Sequence, residues 1–584
     1  MFKEFKEILT GFSRVSTQLE KKEKVSLIIA TILMFVTGFL TNYPAVILGD
    51  FLDILFTSEN PTFSVAIPSL ILIIVLLLFK EFFTVIRKYL VENTATQIEK
   101  KQTVSIIRHI LKTDINGFIS NHQIGSLHGR IFRSIQGLVK LVKLGFLEFF
   151  PIFFSALAAI AIAFYKGPLL ATIMILVIPC GLFIIIKQIS SQKGIRIQLL
   201  RGKEDIDGKV VEMISGLETI RVSNTIEHEV EKIETKAETL RKIEIKHHIW
   251  MAFYDAIKYL NEAFFYVLVV AISIYFAIQG IISKGDILMY SILFMSILGP
   301  LRDMHRILDQ AHENSIKVQD LVDLRNQPED KSFETKSNIN KIENSTIEIK
   351  NLSFTYPNTT DKILDNISLK IKSGQKIGIV GSSGCGKSSL IKIFLRLLHN
   401  YSGKISIFGK DLKEISREEL GTYIAYVPQK TYIFSGTIKE NIIYGINRKC
   451  SKEEIINSLK KVNMYDEVMN KLGGLTGRVT EQGNNLSGGQ KQRLALARLI
   501  LKSPEIFILD EATSALDNSN ETIVLKSIET LFPNKTIIMI AHRLTTLKNC
   551  DNIFVFDKGK IIQEGSYKNL SNSKGLFKTF LEQK

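Results

Sequence analysis

The distribution of apolar residues decides most of what this chain can become. Six apolar segments, residues 25–48, 63–79, 144–165, 169–186, 263–282 and 287–301, come first, and no run long enough to cross a bilayer follows them. Most approach the roughly 20 residues that a helix needs to span hydrocarbon. The last is short and ends at Gly299 and Pro300. In lipid the backbone must bond to itself, so these segments predict membrane helices. A soluble helical core seldom presents so many uninterrupted apolar runs. Yet 23% of the 584 residues are charged, which separates a membrane part from an aqueous part.

The connections orient the helices. Residues 49–62, 166–168 and 283–286 are short and nearly free of positive charge, whereas 80–143 and 187–262 are long and rich in Lys and Arg. The positive-inside rule puts the long connections and both termini in the cytoplasm, in a multi-pass protein of a bacterial-type plasma membrane. The net charge of +16 follows from this pattern. It does not predict nucleic-acid binding, because no reader motif accompanies it. Residues 80–111 and 188–214 keep helical spacing with few breakers, so the spans are expected to continue as helices beyond the bilayer. Interruptions near 113–125 and 215–225 make two cytosolic helical hairpins, with candidate short turns at 115–123 and 212–222. Within residues 1–24, Phe2, Phe5, Ile8, Leu9 and Phe12 share one helical face. That pattern predicts an amphipathic helix on the inner membrane surface and no cleavable signal, with a short soluble packing helix as the alternative. Cys180, Cys385, Cys450 and Cys550 show neither metal spacing nor a pairing pattern, as expected in reduced cytosolic surroundings.

Asp50, Asp53, Glu148, Asp255, Lys258 and Glu262 lie within or beside the spans. Intramembrane charge is costly and often functional, and the excess of acids suggests a cavity that prefers cationic or zwitterionic cargo. The plainer alternative is internal pairing, for example of Asp255 or Glu262 with Lys258 at helical spacing.

After residue 325 the rhythm changes. Residues 326–345 are polar, contain Pro328 and read as a linker. Residues 346–354 alternate as a strand, and 376–380 form a short buried strand. A phosphate loop follows at once: Gly381, Ser382, Ser383, Gly384, Cys385, Gly386, Lys387 and Ser388 match G-x-x-x-x-G-K-[ST], and Ser389 continues into an amphipathic helix. Glycines let backbone N–H groups curl around phosphate oxygens, and the helix start adds favourable potential. Lys387 is expected to contact the β- and γ-phosphates and Ser388 to ligate Mg²⁺. An ordinary tight turn is the alternative for the glycines, and it explains neither the flanking strand nor the helix. Residues 506–510 form an apolar strand ending in Asp510, suited to the Mg²⁺ shell, and Glu511 is placed to orient or deprotonate the attacking water.

Leu486, Ser487, Gly488, Gly489 and Gln490, followed by a helix-forming stretch, offer a second phosphate cradle. One nucleotide site hardly needs two cradles in one subunit. Here the chain resembles the ABC transporter family, in which this second sequence is the signature motif. Other family marks occur in order. Tyr356 matches the A-loop aromatic that stacks on adenine, and Gln429 matches the Q-loop residue that contacts Mg²⁺ or water. Residues 480–483 look like the X-loop of exporters, residues 514–517 match the D-loop with Asp517, and His542 matches the switch histidine.

The resemblance implies a multi-domain fold: an all-α six-helix transmembrane domain of exporter type over 25–325, then an α/β P-loop nucleotide-binding domain with a helical subdomain over 346–584. It implies ATP and Mg²⁺ as cofactors and a second half-transporter as partner, identical in the simplest assembly because Glu511, His542 and the signature are intact. A heterodimer stays open. In the family each ATP lies between one subunit's phosphate loop and the other's signature, assigning Ser487, Gly488, Gly489, Gln490 and Asp517 to the facing nucleotide. Glu511, Gln429 and His542 are the expected catalytic residues. The expected function is ATP-driven export of a lipid, peptide or hydrophobic or cationic small molecule, with the lipid bilayer as the other partner. An ATP-gated channel or receptor using the same cassette is the alternative.

Overall fold

The computed structural model describes residues 20–57, 63–114, 124–191, 194–335, 346–356, 359–512, 518–541 and 543–582. By packing, residues 1–111 and 122–327 form one unit, and 112–121 with 328–584 form a second. The predicted surface helix of residues 1–24 lies almost wholly outside the described residues, and the turn predicted at 115–123 lies wholly outside them.

The first unit is helical. Its elements are α1 (Lys21–Thr57), α2 (Ala66–Lys112), α3 (Ile124–Lys143), α4 (Phe150–Lys166), α5 (Pro168–Ile175), α6 (Val177–Ser191), α7 (Ile195–Ser215), α8 (Leu217–Val222), α9 (Ile226–Ile278) and α10 (Lys284–Arg325). Six stretches among them are long and apolar enough to cross a membrane, and each of the six apolar segments of the sequence falls on one of these stretches or overlaps it. Helix α2 has 47 residues, about 70 Å at the α-helical rise, so it outruns a bilayer as its spacing predicts.

The breaks have local causes. Proline lacks an N–H for the carbonyl four residues back. Pro179 coincides with the step between α5 and α6 at Leu176, and Pro151 with the π-helical turn Leu144–Phe149 that joins α3 to α4. The helical spacing of 188–214 is interrupted at Gly194, whose φ of +84° is left-handed, so α6 and α7 are separate helices where one was expected. The interruption expected at 215–225 is present: α7 ends at Ser215 and the six-residue α8 follows, with none of its side chains buried. Helices α1 and α10 touch backbone to backbone. A Cβ on Gly285 would lie 1.9 Å from the Gly49 carbonyl oxygen, so only glycine fits there. Asp53 on α1 accepts from the Gly285 N–H at 2.7 Å, and Ser283 and Asp286 close a capping box on the same helix start.

The second unit is α/β. Strands β1 (Ile347–Phe354), β2 (Leu364–Ile371), β4 (Ser402–Ile407) and β5 (Lys410–Asp411) form an antiparallel sheet in the order β2-β1-β4-β5. Strands β3 (Lys376–Gly381), β6 (Ile424–Val427), β9 (Ile506–Asp510), β10 (Thr536–Ile540), β11 (Asn552–Asp557) and β12 (Lys560–Gly565) form the main sheet in the order β12-β11-β3-β10-β9-β6. Its pairs are parallel except β11 with β12. Strands β9 and β10 are buried at every residue, as expected for a parallel sheet covered on both faces. A short pair, β7 (Gly436–Thr437) with β8 (Arg478–Val479), lies in the helical subdomain. Helices α11 (Lys387–Phe394), α12 (Arg417–Tyr423), α13 (Ile438–Ile443), α14 (Lys452–Lys461), α15 (Tyr465–Lys471), α16 (Gly488–Lys502), α17 (Asn518–Leu531), α18 (Tyr567–Asn572) and α19 (Leu576–Glu582) complete the unit.

Candidate nucleotide site

Open parallel sheets bind ligands beyond the carboxyl ends of their strands. Here β3 ends in the phosphate loop, β9 ends in Asp510, and β6 runs into Pro428 and Gln429. The parallel register therefore gathers the sequence-predicted groups on one rim.

The loop needs its glycines. Gly384 and Gly386 have φ of +80° and +105°, and a Cβ on Gly381 would lie 2.3 Å from the Phe556 carbonyl oxygen. The turn places Gly386 at the N-cap of α11 with no side-chain cap, which leaves first-turn N–H groups for a ligand. Lys387 is buried, and its Nζ donates to the carbonyls of Gly381 at 2.9 Å and Ser382 at 2.8 Å, so its charge is folded into the loop. Cys385 is buried, with its Sγ 3.7 Å from the same Nζ. Ser382, Ser383 and Ser388 are exposed along the loop and at the start of α11. Tyr356 stands edge-on to Phe354, and its hydroxyl lies 3.1 Å from Ser389 Oγ, tying the aromatic to the first turn of α11.

Asp510 is 6% exposed and accepts from the Tyr426 hydroxyl at 3.2 Å. Burial raises its carboxyl above the ordinary value, and the neighbouring Glu511 charge adds to the rise. No other hydrogen-bond donor among the described residues reaches this carboxylate. A buried carboxylate with a single donor, beside the Ser388 hydroxyl on the same rim, is a hard-oxygen set that fits Mg²⁺. Glu511 has φ of +50°, and its N–H donates to the Ile540 carbonyl at 2.9 Å. That left-handed turn swings its side chain out of the strand, where Gln429 Nε2 donates to Oε2 at 2.5 Å. The strand patterns did not reveal Tyr426 as the Asp510 donor; its place in β6, beside β9, makes the contact.

The second cradle is preformed. Ser487 caps α16: its Oγ accepts from the Gln490 N–H at 3.2 Å, while the Gln490 side chain accepts from the Ser487 N–H at 2.7 Å. Gln490 Nε2 also donates to Glu467, which pairs with Arg493 at 2.6 Å and holds the cap to α15. No local pattern marks Glu467, because it lies 23 residues before Gln490. Ser487 and Gly488 are exposed, and the N–H groups of Gly488 and Gly489 occupy first-turn positions with no intrahelical acceptor. Just before them Thr480 and Asn485 bond to one another, fixing the 480–483 turn. Asp517 and His542 lie outside the described residues.

In the helical unit the acidic positions are paired. Lys166 meets Asp50 at 2.9 Å, Arg306 meets Glu148 at 2.6 Å, and Lys258 meets Asp255 at 3.0 Å. Glu262, 2% exposed, pairs with Arg302 of α10 at 2.8 Å rather than with Lys258 of its own helix.

Two family descriptions match the chain: "ABC transporter transmembrane region" over residues 27–301 and "ABC transporter" over 364–514. An ATP-dependent lipid A-core flippase of Desulfotalea psychrophila is 29% identical over 94% of this chain and 96% of its own length. A "putative export ATP-binding/permease protein" of Rickettsia typhi is 33% identical over 87% of each. Among solved structures, a bacterial Atm1-family ABC exporter with ATP bound superposes with a TM-score of 0.82 over 96% of this chain and 99% of that one, at 21% identity.

Proposed function

This chain belongs to the ABC transporter family as an exporter half-transporter, an ATPase coupled to export, and from that premise we propose that two identical copies pair head to tail around two shared nucleotide sites. The observation that carries this reading is the exposed, self-satisfied cap at Ser487. A helix start with free N–H groups, fixed before any ligand arrives, suits the γ-phosphate of an ATP held on another subunit's phosphate loop.

In this reading Lys387 leaves the Gly381 and Ser382 carbonyls for the β- and γ-phosphate oxygens, exchanging neutral acceptors for charged ones. Ser388, Asp510 and Gln429 would hold Mg²⁺, which when bound neutralises phosphate charge. Tyr356 offers its ring to adenine. Glu511 takes the proton of the attacking water, and Gln429, hydrogen-bonded to it, positions both. His542 is assigned to the γ-phosphate side by its motif. ATP thus bridges the two cassettes, and hydrolysis removes the bridge. The turn at α8, which buries none of its own residues, is assigned to transmit closure, with the cassette and both termini cytoplasmic.

The cargo we propose is amphiphilic, as a lipid is. Asp50, Glu148, Asp255 and Glu262 each have a cationic partner, which leaves no uncompensated acid at these positions to select a cation. Reconstituted protein screened with labelled lipids, peptides and cationic dyes tests this: ATP-dependent uptake of the dyes alone would overturn it.

The shared site is tested by mixing two inactive variants, Lys387→Ala and Ser487→Arg. In a mixed dimer one site receives both lesions and the other receives neither. Random pairing then restores about a quarter of wild-type sites. ATPase activity that stays at the level of either variant alone, with mixed dimers demonstrated by two-tag purification, rules the arrangement out.

A further inference from the structure

Below the far end of the phosphate-loop helix lies a cavity of about 430 Å³, within the size range of small-molecule sites. Its walls include Lys331, Glu334, Arg396, His399, Tyr401 and Lys413. Among the described residues, no carboxylate lies within ion-pair distance of Lys331, Arg396 or Lys413. Arg396 is 5% exposed, and its guanidinium donates to the Ile415 carbonyl. Lys413 stands with its ammonium 5.0 Å from the centre of the Tyr401 ring. Tyr401 is itself buried, its hydroxyl has no hydrogen-bond partner among the described residues, and burial pushes its phenol up to about 12, so it stays protonated at neutral pH. His399 has its Nε2 3.1 Å from Asp330 Oδ1.

The balance of charge follows. Asp330 is neutralised by Arg417 at 2.9 Å and faces His399, so the one uncompensated carboxylate on the wall is Glu334. A helix C-terminus contributes about half a negative charge. Asp411, behind the wall, also acts on Arg396 and Tyr401, and the three cations exceed these charges by a small margin. Three of the eight lining side chains, Lys331, Arg396 and Lys413, are donors only, and Asn400, Thr335 and Tyr401 can donate as well, a set that suits an oxyanion.

We propose that this cavity is a second ligand site, separate from the ATP site, that binds a small phosphorylated anion through Lys331, Arg396 and Lys413. Arg396 follows α11 by two residues, so an anion here sits just past the far end of the helix whose first turn carries Lys387.

The full-length protein in phosphatidylcholine nanodiscs, with its ATP sites saturated by a non-hydrolysable ATP analogue and Mg²⁺, provides the test. Acetylation rates of Lys331 and Lys413 are read by mass spectrometry, with and without inorganic phosphate, against chloride at matched ionic strength. Phosphate is expected to slow both lysines at least fivefold while the exposed Lys558 is unaffected. In a second arm, phosphatidylglycerol nanodiscs without added phosphate are compared: protection there identifies a lipid headgroup as the source, and protection by phosphate alone identifies a soluble anion. Lys413→Glu, at an exposed position, is expected to keep basal ATPase activity and abolish protection of Lys331. Absence of protection in both arms, equal protection by chloride, or undiminished protection in Lys413→Glu overturns the site.

Discussion

Glu511→Gln separates holding ATP from splitting it. The substitution keeps the shape of the side chain, and the amide oxygen of Gln can still accept from Gln429 Nε2. The backbone turn is anchored by the N–H bond to Ile540, which does not depend on the side chain. Folding stability should therefore change by less than about 0.5 kcal/mol. Nucleotide binding should not weaken either. The Glu511 charge helps to raise the Asp510 carboxyl, so its removal lets Asp510 ionise more readily and hold Mg²⁺ at least as well. What is lost is the proton acceptor. A positioned general base contributes about 10²- to 10⁴-fold, equivalent to about 2.7–5.4 kcal/mol of barrier. Steady-state phosphate release at saturating ATP should fall by that factor, while the Kd of a fluorescent ATP analogue stays within about threefold. Turnover within tenfold of wild type would remove Glu511 from the base role. Loss of ATP binding would show instead that the residue is part of the cradle.

Three further outcomes follow from the same geometry. Burial alone would raise the Asp330 carboxyl, but His399 and the two Ser332 hydrogen bonds outweigh it and hold the group well below the usual carboxylate range; Asp330→Asn removes that charge and turns a donor toward Arg417. Breaking such a pair costs about 3–5 kcal/mol, read as a lowered midpoint of thermal unfolding and faster hydrogen exchange at 328–335; an unchanged midpoint contradicts it. Gly285→Ala should disrupt the α1–α10 contact and lower the yield of monodisperse protein, whereas Gly49→Ala, whose Cβ would meet the Gly285 carbonyl oxygen at 3.1 Å, should be milder; equal behaviour counts against the contact. Alkylation of Cys385 should inhibit ATPase activity and be blocked by ATP, but because the thiol is buried it should proceed well behind the half-buried Cys450 of the same unit; labelling of Cys385 without inhibition argues against its placement in the loop.

The legible parts of the sequence are those in which a constraint acts locally. A bilayer demands an unbroken apolar run, and a phosphate demands glycines at fixed spacing, so the spans and Gly381 to Ser388 can be read without knowing the fold. Pairings between helices cannot. Lys258 is a helical neighbour of both Asp255 and Glu262, but a charge count does not say that Arg302 on α10 reaches Glu262 at 2.8 Å. That choice is made by how α9 and α10 pack. The Gly49–Gly285 contact is equally invisible, because a glycine needed for close approach looks like one needed for nothing. Asp330, in the polar stretch that follows α10, shows the converse difficulty. The polarity around it suggests a free stretch, yet Asp330 is 4% exposed and its carboxylate accepts from Ser332 and Arg417. A polar stretch looks free in sequence when its partners lie 87 residues away.

In the head-to-tail pair proposed above, the cap at Ser487 would explain why ATP, rather than protein contact alone, closes the assembly. An unpaired helix start would be costly to bury against another surface, since first-turn N–H groups need acceptors. The capping box satisfies the Gln490 and Ser487 N–H groups within the chain and leaves those of Gly488 and Gly489. Those two can be buried favourably only by an anion that brings its own acceptors. The phosphate loop is in the complementary state, with Lys387 bonded to loop carbonyls and ready to exchange them. Each surface is thus tolerable in water and poorly matched to the other until a phosphate stands between them. In that arrangement, removing the γ-phosphate would return both to that state, which would tie closure to the bond that is broken.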